Sequence, residues 1–158
     1  LEDEVMTWLR SVTVREAREW VTLASTVLLY GVFFWGTASG LVRGPSQVGL
    51  LIGIVLVQMA CLIVAEIVLS VWKEKPDERD ALIALKSYRA GYIVLMGCMS
   101  TVALAYVAWG GVASLAQEQG GRLQAPSVTL VGNALLLSFV LAEAAKSAMQ
   151  IVLYRRSA

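Results

Sequence analysis

The chain has 158 residues, 58% of them hydrophobic, and a net charge of +1, with a mean hydropathy of +0.68. An apolar share that high makes lipid rather than water the solvent for most of the chain, and the near-neutral balance excludes the concentrated basic surface a nucleic-acid binder needs. Two cysteines and no histidine remove the common zinc sites and every Ser/His or Cys/His catalytic pair.

The opening LEDEVMTW is acidic and mixed, without the basic patch and short apolar core of a secretory signal, so the first hydrophobic run is expected to remain as an anchor. Leu1, Val5, Trp8, Leu9 and Val12 recur at helical spacing, which predicts a short interfacial segment over 1–12. Thr13 followed by Glu16 has capping-box spacing, so a new helix is expected to start there. Arg15, Arg18 and Glu19 are expected to keep its first turns in water, ahead of a span over 20–42.

Gly44-Pro45-Ser46 predicts a tight turn, because proline cannot continue the helical ladder. A second span follows over 48–72. Gly36-x-x-x-Gly40 and Gly49-x-x-x-Gly53 flank the turn, and small residues let backbones approach, so they are expected to form the contact of one antiparallel hairpin. The rival use of the same glycines is contact with a second copy of the chain.

Residues 73–90 form a dense charged segment, predicted as a cytoplasmic loop and helix extension. Asp77 and Asp80 can cap the helix that starts there and place acids at its positive end. The third span is predicted over 91–112, a polar loop over 116–127, and a fourth span over 128–154 that stops at Arg155-Arg156.

Arg10, Arg15, Arg18, Lys73, Lys75, Arg79, Lys86, Arg89, Arg155 and Arg156 fall on one side of these spans, and Arg43 and Arg122 on the other. Ten against two predicts that both termini and the central segment are cytoplasmic. The expected fold is therefore all-α, a single integral membrane domain over 1–158, arranged as a four-helix bundle of two antiparallel hairpins in the cell's inner (plasma) membrane.

Glu66, Glu143 and Lys146 fall inside the predicted hydrocarbon, where a charge costs roughly 3 kcal/mol or more, so they are expected to face the bundle and find partners. Glu66 and Lys146 differ in depth by only ~3 Å at helical rise and could pair across helices. Glu143 and Lys146, three apart on one face, are the local alternative. Two readings follow, a polar clasp that fixes helix rotation or a proton or cation relay. The clasp is preferred, because all three lie in the half nearer the basic side. Gln58 and Asn133 are expected to make interhelical hydrogen bonds, and Cys61 and Cys98 to pack as small apolar residues.

The acids Glu74, Asp77, Glu78 and Asp80 lack calcium-loop spacing and sit among Lys73, Lys75 and Arg79, so no metal is expected there. Phosphate-binding and nucleophile-elbow motifs are absent from the sequence. No cofactor and no enzymatic activity are expected.

Two stretches, EKPDERD at 74–80 leading into LIALKSYRAGY, and AEAAKSAMQIVLYRR at 142–156, resemble small prokaryotic four-helix integral membrane proteins of unknown function. The resemblance covers about a quarter of the chain and implies the same architecture. It directs attention to Asp77, Glu78, Arg79 and Asp80 as one cluster and to Glu143, Lys146 and Gln150 as another, with Arg79 or Arg89 expected to approach an acid of the bundle. The function expected is a non-enzymatic multi-pass membrane protein with a cytoplasmic docking or regulatory face. The alternative is a small ion- or proton-coupled transporter or channel subunit using Glu66, Glu143 and Lys146. The partners expected are the lipid bilayer, a second copy of the chain and a cytoplasmic protein, with no nucleic acid.

Overall fold

The computed structural model describes residues 13–71, 77–118, 121 and 126–156. The interfacial segment expected over 1–12, residues 72–76 of the charged connector, and Arg122 lie outside them. Helix α1 (Val14–Ala38) starts as its sequence predicts, with the Glu16 N–H donating to Thr13 Oγ1 at 3.2 Å. Gly40, at φ +73°, follows its end in the left-handed region. Gly44, at φ +62°, then precedes Pro45 as the first residue of α2 (Pro45–Ser70). Proline at that position loses no helical hydrogen bond, and its fixed φ is already helical.

Helix α3 (Glu78–Glu118) begins with Asp80 Oδ2 accepting from the Asp77 N–H at 2.9 Å, while Asp77 Oδ1 accepts from the Glu78 N–H at 2.7 Å. It continues to Glu118, past the point where the polar loop was expected, ending just short of Gly120-Gly121. Helix α4 (Val128–Arg156) starts behind Ser127, whose Oγ accepts from the Leu130 N–H at 3.2 Å. It ends on Arg155 and Arg156, which favour its negative pole.

All four helices are long and apolar enough to cross a bilayer, which makes this a multi-pass membrane protein. Large apolar side chains such as Leu28, Leu56, Val64, Leu104 and Val107 point outward, as lipid allows and water does not.

The helices touch in the order α2, α1, α4, α3, so α1 and α4 form the centre and each outer helix packs on one neighbour. In lipid the helices gain nothing from apolar contact alone, and close approach depends on small residues. Gly91 is the clearest instance: a Cβ there would lie 3.0 Å from the Ala142 carbonyl oxygen and 3.1 Å from Lys146 Cβ. Ser87, one turn earlier, is fully buried and donates to Gln150 Oε1 at 3.2 Å. This register carries the last turns of α3 past the start of α4.

The hairpin glycines behave differently from expectation. Gly36 is buried against Val42 and Leu50, but Gly49 and Gly53 are exposed and have nothing within 4 Å of a Cβ position. The α1–α2 contact therefore uses a small residue on α1 and branched side chains on α2. Leu50 lies one residue after Gly49, a rotation of about 100° around the helix, and that turns the glycine pair outward.

Candidate functional site

The stripe of α1 that faces the other helices includes Thr26, Phe33 and Gly36, and continues back to Glu19 and Glu16. Spacings of three and seven keep these positions on one face. Glu16 is 5% exposed and Glu19 9%, so the first turns of α1 are packed, contrary to the expectation that Glu19 stays in water. The sequence signal was available: the apolar stripe read backward from Phe33 in heptad steps lands on Thr26 and then Glu19.

Arg15, Arg18 and Glu16 of this segment each meet a different helix. Arg15 pairs with Asp80 of α3. Arg18 Nη2 lies 2.7 and 2.6 Å from the two carboxylate oxygens of Glu66 of α2. Glu16 Oε1 accepts from Arg155 Nε of α4 at 2.7 Å and from Trp20 Nε1 at 3.2 Å. The Arg155 guanidinium also stands 5.7 Å from the Trp20 ring centroid, a cation–π geometry.

The predicted polar residues divide between two places. Of the two pairings open for Lys146, the local one forms: it bonds Glu143 and stands 5.2 Å from the Tyr88 ring centroid. Glu66 is engaged by Arg18 instead, so the intramembrane residues do not gather into one cluster. Gln150 joins α4 to α3 through Ser87. Asp77 and Asp80 stand at the head of α3, whereas Glu78, Arg79 and Arg89 are exposed on it. Arg15, Arg18 and Arg155 each meet an acid across helices. Sequence reading did not single out these three for that role.

At the level of these ion pairs a crevice of about 470 Å³ opens among the helices, lined by Arg15, Arg18, Glu19, Asp77, Asp80, Gln150 and Tyr154 with apolar Val14, Leu69, Ala81 and Ala84. It draws on all four helices and unites the Asp77–Asp80 motif with Gln150. Deeper along α1, Gln58 Nε2 donates to Thr26 Oγ1 at 3.0 Å and Ser25 Oγ at 3.2 Å. These bonds border a second cavity of about 330 Å³ that Thr22, Tyr30 and Glu143 also line. Asn133 Oδ1 accepts from Gln47 Nε2 at 3.0 Å, so both lone polar residues make the interhelical bonds expected of them. Cys61 and Cys98 are free thiols. Among the described residues no group of three His, Cys, Asp or Glu side chains is placed to hold a metal ion.

No protein-family profile, curated protein or solved structure matches the chain. The fold is that of a small four-span membrane protein, and the chemistry of its site has to be read from its own residues.

Proposed function

We propose that the protein is a non-enzymatic component of the cell's inner membrane whose ionic end faces the cytoplasm and serves as a docking or regulatory face. The orientation rests on the ten-to-two distribution of lysine and arginine, since cationic residues flanking spans are retained on the inner side. The observation that carries the docking role is the outer face of the first turns of α3. Glu78, Leu82, Leu85 and Arg89 are exposed there, on the side opposite buried Ile83, Ser87 and Gly91, with Arg79 and Lys86 exposed at its flank. Charged and apolar side chains alternate along this face, a chemistry suited to a partner helix of complementary charge. Behind it the ion pairs of Arg15, Arg18 and Arg155 hold α3 and its neighbours in place, as a platform requires.

The transport alternative has less support. Glu66 and Glu143 are paired separately, by Arg18 and Lys146, which supports a structural clasp over a shared relay.

In a Cys61→Ser/Cys98→Ser background, a membrane-impermeant maleimide added to spheroplasts should label Ser127→Cys and spare Glu78→Cys until the membrane is opened. A photo-crosslinking amino acid at Lys86 should then give a discrete protein adduct, lost when Arg79 and Arg89 are both changed to Glu. Labelling of Glu78→Cys from outside, or an adduct indifferent to the charge reversal, would overturn the reading.

A further inference from the structure

We propose that the crevice beside Glu19 is a binding site for a primary ammonium group carried on an apolar stem, with the Glu19 carboxylate as its anchor. The site stands apart from the exposed face of α3, so either reading can fail without the other.

Glu19 is only 9% exposed, and its Oε2 is buried without a hydrogen-bond partner. A carboxylate oxygen taken out of water without a donor is strongly disfavoured, and donors normally accompany buried charge. The neighbouring cations do not supply one: Arg15 is engaged by Asp80 and Arg18 by Glu66. The lining carries two arginines against the three carboxylates of Glu19, Asp77 and Asp80. Arg15 is balanced by Asp80, and Arg18 by Glu66 outside the lining, so among the described residues Glu19 and Asp77 are the lining carboxylates without an ion pair, and Glu19 is the buried one of the two.

The missing partner is therefore a cationic donor. A divalent metal is a poor candidate, because the Arg15 and Arg18 guanidinium groups share the lining, and the described residues hold no three-ligand cluster. An ammonium group offers three N–H donors, which suit a buried carboxylate with further acceptors nearby. Asp77 and Gln150 line the same space.

The remainder of the wall selects what the ammonium is attached to. Val14, Leu69, Ala81 and Ala84 form an apolar side, and the short alanines leave the volume open. About 470 Å³ lies in the range of sites that enclose a small organic molecule. A free alkyl or aryl amine and the ethanolamine headgroup of a phospholipid both present this chemistry.

The test uses the full chain in nanodiscs of phosphatidylcholine and phosphatidylglycerol, which contain no primary amine, titrated calorimetrically with 2-phenylethylammonium. The expected result is saturable one-site binding, weakened at least about tenfold in E19Q and not reproduced by the neutral isostere 2-phenylethanol. A84F, which fills the crevice and leaves Glu19 charged, should abolish binding as well, and carries the test with the alcohol control should E19Q fail to fold. Repeating the titration in discs containing phosphatidylethanolamine separates the sources. A weakened apparent affinity there identifies the headgroup as a competing occupant, and an unchanged one identifies a free amine; both uphold the site. Equal binding of the alcohol, equal binding by E19Q, or no heat of binding at saturating probe would overturn it.

Discussion

At the ionic end, α1 reaches each of the other three helices through a charged side chain, whereas at the opposite end Gln47 and Asn133 make the one side-chain hydrogen bond described between helices. The same contrast runs along α3. Its first turns bury Ile83, Ser87 and Gly91, and none of the residues from 92 to 118 is buried. Apolar side chains are abundant at both ends, so apolarity does not explain the difference. Lipid solvates a leucine as well as a neighbouring helix does, and association is decided by polar links and by close backbone approach. Where α1 offers ions and α3 and α4 offer small residues, the helices are tied together; elsewhere they face the bilayer.

The largest effect is expected from Arg155→Ala. Arg155 itself is 44% exposed, but Glu16 would stay buried with the Trp20 N–H as its remaining donor, and leaving a buried carboxylate short of its charged donor costs up to about 3 kcal/mol. Arg18→Ala removes a pair whose side chains are about half exposed and should cost less than about 1 kcal/mol. Unfolding free energies in a denaturing-detergent titration would compare the two, and similar losses would erase the special standing of Glu16.

Next in size is Gly91→Val. Its Cβ would press on the Ala142 carbonyl, a backbone atom that cannot move aside, so destabilisation of about 1–3 kcal/mol is expected. Gly110→Val, on the unpacked half of the same helix with nothing within 4 Å, serves as the control. Equal losses from the two would show that α3 is held along its whole length.

The smallest effect is expected at Gln58→Leu. Two hydrogen bonds to α1 are lost, but the substitution also removes the buried, unpartnered Gln58 Oε1. Interhelical bonds of this kind average about 0.6 kcal/mol, so the net change should stay below about 1 kcal/mol in the same titration. A loss matching that of Arg155→Ala would mean that the bilayer-depth amide, rather than the ionic end, organises the helices.

Much of this was legible before any coordinates. Thr13 with Glu16 and Asp77 with Asp80 marked helix starts correctly, because capping depends on residues a few positions apart, and Gly44-Pro45 marked the turn between α1 and α2. Gln58 and Asn133 were recognisable as interhelical bonders, since a lone amide in hydrocarbon has few other uses. Glu19 was misjudged because neighbouring Arg15 and Arg18 made the segment look like a solvated flank. Gly49 and Gly53 were misjudged because spacing alone does not say which way a small-residue face is turned.

Composition and periodicity by themselves determined that this chain makes four apolar helices, where two of them are capped, and at which ends of the helices its cations collect. Those properties follow from local hydrogen bonding and from transfer into lipid, both of which act on short stretches. The neighbours were decided only by the tertiary structure: that α1 stands between α2 and α4, that Arg18 rather than Lys146 meets Glu66, and that Glu19 ends beside a crevice with an unpartnered oxygen. Partner choice among helices rests on rotation and register, and a one-residue rotation of about 100° exchanges a buried carboxylate for an exposed one without altering any local pattern.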